Sequence, residues 1–207
     1  MDLSLIETLG WAPGTGFVRL ERHLARLVRS ATALGLAGAD RARGALDSSV
    51  AGKDCPQRVR LELFGRNEIA VTTAPFVPLP AGAVWTVAIA RTRLSSGDLL
   101  LRYKTSRRGT YEAARAEFPL AEVNEVLLLN EEGDVCEGTI TSLFLDDGSG
   151  ILRTPPLACG LLAGVLREEL LETGRAAEAL LRPDDLKRSP FYLGNSLRGL
   201  IPGRLVS

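Results

Sequence analysis

The eight residues Pro75-Phe-Val-Pro-Leu-Pro-Ala-Gly82 restrict the folding of this chain more than any other stretch. Each proline lacks an amide donor and fixes its own φ, so a segment this rich in proline can be neither a helix nor a central strand. It is the best candidate for a linker, dividing the chain into residues 1–78 and 82–207. The 207 residues, 45% of them hydrophobic and 24% charged, suffice for one large core or two small ones.

Before the linker, Leu20, Leu24, Leu27, Val28, Ala31 and Leu34 recur at helical spacing and Gly35 supplies a stop, predicting an amphipathic helix over 20–34. His23 and Arg26 fall on its flank, Arg22 and Arg29 on its far face. Arg58 to Leu63 and Ile69 to Thr72, joined by Gly65-Arg-Asn67, predict a hairpin. The first part is therefore a small α+β unit. After the linker come a strand near Trp85 to Ala90, a strand over Leu99 to Tyr103, and a short helix from Gly109 to Phe118 that ends at Pro119. A second hairpin pairs Glu125 to Leu129 with Val135 to Leu145 through Asn130-Glu-Glu-Gly133. Gly160-Leu-Leu-Ala-Gly164 then leads into a helix running to Thr173, with Gly174 beyond it.

Composition removes several function classes. Lys plus Arg and Asp plus Glu both number 25, so no net field draws the chain to nucleic acid or to an anionic membrane. The mean hydropathy is +0.09, no apolar run approaches the ~20 residues of a membrane span, and the N-terminal stretch lacks a basic and apolar leader. Three cysteines without a Cys-x-x-Cys pair suit a reducing, cytoplasmic compartment. With His23 as the single histidine there is no His/Cys cluster for a metal, and a hydrolase triad would have to be built on that residue. Reactivity is expected from lysine or from a cofactor.

Lys104 is the lysine in question. It ends the apolar run Leu99 to Tyr103, just before Thr105 and Ser106, which are placed to cap the next helix. A lysine partly desolvated among cations gives up its proton, and its amine then forms a Schiff base with a carbonyl. The alternative is a solvated lysine in a basic patch with Arg102, Arg107 and Arg108. Glu137 lies within a strand, where an ionised carboxylate is costly unless a cation meets it; a protonated heterocycle nitrogen is one such cation, and an edge-strand position facing water is the alternative. Gly160 to Gly164 and Gly194-Asn-Ser-Leu-Arg-Gly199 are glycine turns of the kind that offer free N–H groups to a phosphate, and Arg26 could add a guanidinium. Arg107, Arg108 and Arg198 are candidates for substrate carboxylates, with plain surface charge as the other reading.

Six pieces together resemble the class IV, fold-type IV pyridoxal-phosphate enzymes, which include branched-chain and D-amino-acid aminotransferases and 4-amino-4-deoxychorismate lyases. They are Ile6-Glu-Thr8; His23-Leu-Ala-Arg-Leu27; Lys104-Thr-Ser-Arg-Arg-Gly-Thr-Tyr111; Glu137-Gly-Thr-Ile-Thr-Ser142; Thr154-Pro-Pro-Leu-Ala-Cys-Gly-Leu-Leu-Ala-Gly164 with Arg167; and Asn195-Ser-Leu-Arg-Gly199. The pattern is most similar to the lyase domain fused behind aminodeoxychorismate synthase in some bacteria. The resemblance implies an α+β (mixed α/β) fold, with a small N-terminal α+β domain and a larger, β-barrel-like C-terminal domain that carries helices. It implies pyridoxal 5′-phosphate bound by Lys104, Glu137 beside the ring nitrogen, and Arg26 on the phosphate with N–H groups of Val165, Leu166, Asn195 and Ser196. Tyr111 would lie near a cofactor oxygen or the ring face.

The same resemblance implies a homodimer acting on a small molecule. The expected reaction is release of pyruvate and 4-aminobenzoate from 4-amino-4-deoxychorismate, with transamination of a branched-chain or D-amino acid and a non-catalytic cofactor-binding homologue as the alternatives. The sequence departs from the family in two places. Glu7 lies almost at the start, whereas the family places the first strands of its small domain before this motif, so that domain is expected to be trimmed or completed by a partner subunit. Ser142 stands where the family usually has asparagine, keeping a hydroxyl but altering the geometry.

Overall fold

A computed structural model describes residues 3–206; Met1, Asp2 and Ser207 lie outside the described residues. The chain divides into two compact units, Met1–Pro78 with Tyr103–Arg107, and Leu79–Arg102 with Arg108–Ser207. The short segment around Lys104 thus belongs with the first unit, although its neighbours in sequence on both sides belong to the second.

The first unit holds strands β1 (Leu5–Ala12) and β2 (Gly16–Phe17), helices α1 (Leu20–Leu34) and α2 (Ala42–Val50), and strands β3 (Gln57–Phe64) and β4 (Glu68–Pro75). They form an antiparallel sheet in the order β2-β1-β3-β4. In β3 the buried residues Gln57, Val59, Leu61 and Leu63 alternate with more exposed ones, as expected of a sheet covered on one face. Leu27 and Ala31 of α1 and Leu46 and Val50 of α2 pack on that core.

Helix α1 has the predicted bounds, and Gly35 caps it at φ 68°, donating its N–H to Ala31 and Thr32 carbonyls. The helix is turned about its axis relative to expectation. Val28, expected in the core, is 47% exposed, whereas His23 and Arg26, expected on the flank, are buried. The reason is a carboxylate on the facing strand: Glu7 of β1 meets both side chains, so the polar positions gain more inside than a valine would. Helix α2 was not predicted, because Gly44, Ser48 and Ser49 dilute its apolar period.

The second unit contains β5 (Trp85–Leu94), α3 (Gly109–Ala116), β6 (Glu125–Asn130), β7 (Val135–Gly138), β8 (Ser142–Leu145) and β9 (Leu152–Thr154). It continues with α4 (Val165–Glu172), β10 (Ala176–Glu178), α5 (Pro183–Arg188), β11 (Phe191–Asn195) and β12 (Gly199–Leu205). Eight strands form one mixed sheet in the order β10-β9-β8-β11-β12-β5-β6-β7. Strand β7 sits at one edge and β8 third from the other, yet only Thr139, Ile140 and Thr141 separate them in sequence. So short a connection requires the sheet to curl. This is the mixed α+β architecture with a barrel-like sheet that the resemblance implied.

Two predicted elements are different. The run Leu99 to Tyr103 is not a strand: Leu99–Arg102 forms a 3-10 turn. Asp98 explains it, because its side chain accepts the Leu100 N–H at 3.0 Å and its carbonyl accepts the Leu101 N–H at 3.1 Å, a local alternative to a ladder. The predicted strand Val135 to Leu145 is broken after Gly138, and its second half, β8, pairs with β11 and β9 rather than with β6. No helix among the described residues is long and apolar enough to cross a membrane.

Candidate active site

In the first unit, Lys104 is held by its main chain. Its carbonyl accepts the Ile6 N–H at 2.8 Å, Thr105 forms an antiparallel bridge with Leu5, and Ser106 donates its N–H to the Ser4 carbonyl at 2.9 Å. Residues 104–106 therefore add to the start of β1 as a short strand, beginning at the lysine rather than ending there. Thr105 does not cap the next helix, since its hydroxyl accepts the Arg107 N–H at 3.3 Å and the residue preceding α3 is Arg108. Lys104 itself is half-buried.

Arg26 lies in the same unit, 6% exposed, with Glu7 filling one edge of its guanidinium: Nε to Oε1 at 2.9 Å and Nη2 to Oε2 at 2.5 Å. His23 Nδ1 lies 2.6 Å from the same Oε2. Burial pushes the Glu7 carboxyl up, but the charge of Arg26 and the hydrogen bonds from His23 and Arg26 outweigh it and hold the group at about 2. The result is a buried ion pair in which Arg26 keeps a fixed orientation. Sequence reasoning assigned Glu7 to the motif without a role; the signal was a carboxylate in the apolar run that opens β1.

In the second unit, Glu137 sits on the edge strand β7, as the plainer reading supposed, yet it is only 4% exposed and does not face water. Tyr111 of α3 donates its hydroxyl to Oε1 at 2.6 Å, and the Leu162 N–H donates to the same oxygen at 3.0 Å. Burial and the adjacent carboxylate push the Tyr111 phenol well above its ordinary value, so it is a firm donor at any physiological pH. Arg108 lies 4.8 Å from the centre of the Tyr111 ring and donates from Nη2 to the Thr139 carbonyl at 2.5 Å. Arg198 stacks 5.8 Å from the Trp85 ring centre, and Arg107 is exposed in the first unit.

The two glycine turns meet. Gly164 precedes α4, and the N–H groups of Val165 and Leu166 open that helix with no carbonyl a turn earlier to accept them. A Cβ on Gly164 would lie 2.7 Å from Ser142 Oγ, and one on Gly194 would lie 2.8 Å from Leu166 Cδ2, so both positions accept only glycine without rearrangement. Asn195 follows directly, donating from Nδ2 to the Ile140 carbonyl at 3.2 Å and accepting the Arg198 N–H at 3.0 Å. Ser196 is buried beside it. A helix N-terminus with backbone exposed by glycine suits a phosphate, and a buried, doubly hydrogen-bonded carboxylate suits a ring cation. These residues fit the two ends of pyridoxal phosphate. Among the described residues no group of acidic, histidine and cysteine side chains is placed to hold a metal.

Sequence reasoning missed Glu125. It is fully buried at the head of β6, and its carboxylate accepts the Thr139 N–H and hydroxyl at 3.0 and 2.6 Å, the Ile140 N–H at 3.1 Å and the Thr141 hydroxyl at 2.9 Å. Those bonds replace the ladder that a continuous β7–β8 strand would make, and so Glu125 shapes the three residues after Glu137-Gly138. The available signal was a single carboxylate opening the otherwise apolar run Glu125-Val-Leu-Leu-Leu129.

Known proteins are similar to this chain in sequence and in fold. The sequence matches the amino-transferase class IV family over residues 4–206. A Schizosaccharomyces pombe protein named "Putative aminodeoxychorismate lyase" is 31% identical over 196 residues, 90% of this chain and 84% of its own length. Among solved structures, a "Putative amino-acid aminotransferase" from Mesorhizobium loti is 51% identical with a TM-score of 0.96, covering 99% of this chain and 100% of that one. The 4-amino-4-deoxychorismate lyase of Pseudomonas aeruginosa is 29% identical with a TM-score of 0.82, over 98% of this chain and 82% of that one. With the family match running through Glu7, Lys104, Glu137 and Asn195 alike, the chain belongs to the class IV aminotransferase family.

Proposed function

We propose that this chain is a 4-amino-4-deoxychorismate lyase, releasing pyruvate and leaving 4-aminobenzoate. Enzymes of its family depend on pyridoxal phosphate, and this chain is one of them. The observation that favours the lyase is the 31% identity to the S. pombe relative across 90% of the chain. The curated branched-chain aminotransferase of Thermotoga maritima, named "Probable", aligns over 48% of the chain at 26% identity.

When bound, the cofactor supplies an electron sink that stabilises negative charge on the carbon bearing the substrate amine. The chain's residues do the rest. Lys104 would hold the cofactor, and its amine would take the proton from that carbon and deliver it to the departing enolpyruvyl group. Glu137 keeps a proton on the ring nitrogen, while Arg26 and the N–H groups of Val165, Leu166, Asn195 and Ser196 fix the phosphate. Loss of the proton from the amine-bearing carbon, with departure of the enolpyruvyl oxygen on its neighbour, aromatises the ring. The eliminated group becomes pyruvate. Arg107, Arg108 and Arg198 are the guanidinium candidates for the substrate's carboxylates.

A second reading, a class IV aminotransferase, is favoured by the name of the 51% identical M. loti structure. The two are separated by pyruvate release from 4-amino-4-deoxychorismate without an added 2-oxo acid. Pyruvate at a steady catalytic rate supports the lyase; no pyruvate, with loss of the visible cofactor band on adding an amino acid, supports the transaminase. Lys104→Ala is expected to lower turnover by about 10²–10⁴-fold or more and to abolish a borohydride-reducible absorption band. Wild-type turnover in that variant would refute the assignment. The resemblance further implies a cytoplasmic homodimer, for which sedimentation and fractionation are the checks.

A further inference from the structure

We infer that Tyr111 acts as a positioning residue for Glu137, committing one carboxylate oxygen so that the other meets the cofactor's ring nitrogen and keeps it protonated. This rests on the reading of Glu137 as the ring-nitrogen partner given above, and it assigns Tyr111 a different task from contact with a cofactor oxygen or ring face. The phenol and the Leu162 N–H both bond Oε1, at 2.6 and 3.0 Å, and both come from outside β7. Two donors on one oxygen fix the rotation of the carboxyl plane and favour its charged form.

Tyr111 is itself held. It is 8% exposed, its helix packs on the core that includes Val126, Leu128 and Cys136, and the Arg108 guanidinium covers its ring. The tyrosine hydroxyl has no described acceptor other than Glu137. Without that donor, a proton shared between Glu137 and the ring nitrogen shifts toward the carboxylate, because the charged carboxylate loses part of its stabilisation.

The test is Tyr111→Phe, with Tyr111→Met as the second variant should the first not fold. Each is reconstituted with pyridoxal phosphate labelled with ¹⁵N in the ring and compared with wild type by ¹⁵N NMR, with cofactor affinity measured alongside. The wild-type signal is expected at the position of a protonated ring nitrogen. Either variant should move it toward the unprotonated position and raise the cofactor Kd by about ten- to a hundredfold. A side chain with only a packing role would change stability and leave the ¹⁵N position alone. The inference is overturned if the variant's signal coincides with wild type, or if the wild-type ring nitrogen is unprotonated. A wild-type protein that binds no pyridoxal phosphate at Lys104 would instead overturn the underlying functional reading.

Discussion

Replacing Glu7 by glutamine should cost a defined amount of stability that depends on pH. Each pH unit between a carboxyl's folded and unfolded midpoints is worth about 1.36 kcal/mol. Glu7 is held at about 2 against an ordinary 4.5, so its ionised form contributes about 3 kcal/mol at neutral pH. The sign follows from the depressed midpoint: the contribution is complete above about 4.5 and is lost as the pH falls through about 2. By pH ~3 less than half of it remains. Glutamine keeps the shape and one acceptor, but its amide N–H groups then face Arg26 Nη2 and His23 Nδ1, leaving a guanidinium that is 6% exposed without its counter-charge. Breaking one side of a buried pair typically costs about 3–5 kcal/mol, in line with the first figure. The assay is urea unfolding of both proteins at neutral pH and at pH ~3, followed by circular dichroism. A neutral-pH difference below about 1 kcal/mol, or a difference that does not shrink in acid, would refute the reasoning.

Glu125→Ala leaves the Ile140 N–H and the Thr139 and Thr141 hydroxyls without the carboxylate that accepts them, at about 1–3 kcal/mol each, so a loss of at least about 3 kcal/mol is expected in the same unfolding assay. Glu125→Gln, which restores one acceptor, should recover part of it. Gly194→Ala would drive a Cβ to 2.8 Å from Leu166 Cδ2 and 3.1 Å from the Gly199 carbonyl oxygen. Its cofactor affinity, read by equilibrium dialysis, should fall by about tenfold or more as the two turns separate. Burial raises the thiol midpoints of both Cys136 and Cys159, whereas Cys55 is exposed, so a thiol reagent added to the native protein at mildly alkaline pH should react quickly with one thiol per chain. Fast reaction of all three would show that the region of β7 and the turn before α4 opens readily.

Much of the local structure was legible because it rests on patterns within a few residues. Helix α1 and its Gly35 stop, the β3–β4 hairpin and the short helix after Lys104 all announce themselves through spacing and breakers. The readings that failed have a shared origin. Leu99–Arg102 has the apolar composition of a strand, but Asp98 offers its backbone a nearer partner. Val135 to Leu145 has the pattern of one strand, but Glu125, ten residues upstream of its start, captures the middle of it. Val28 has the right spacing for the core, but Glu7 from another element draws His23 and Arg26 inward instead.

By itself the sequence determined the inventory: a linker, a lysine, a carboxylate, two glycine turns, and six motif pieces whose order names the family. Only the tertiary structure decided what each charged group answers to. Glu137 is met by Tyr111 and the Leu162 N–H, Arg26 by Glu7, and the Thr139–Thr141 connection by Glu125. These partners lie from 14 to 26 residues away in sequence. The physical reason is that periodicity reports which face of an element is apolar, whereas a buried charge is stabilised by hydrogen-bond donors and acceptors that the fold brings from elsewhere.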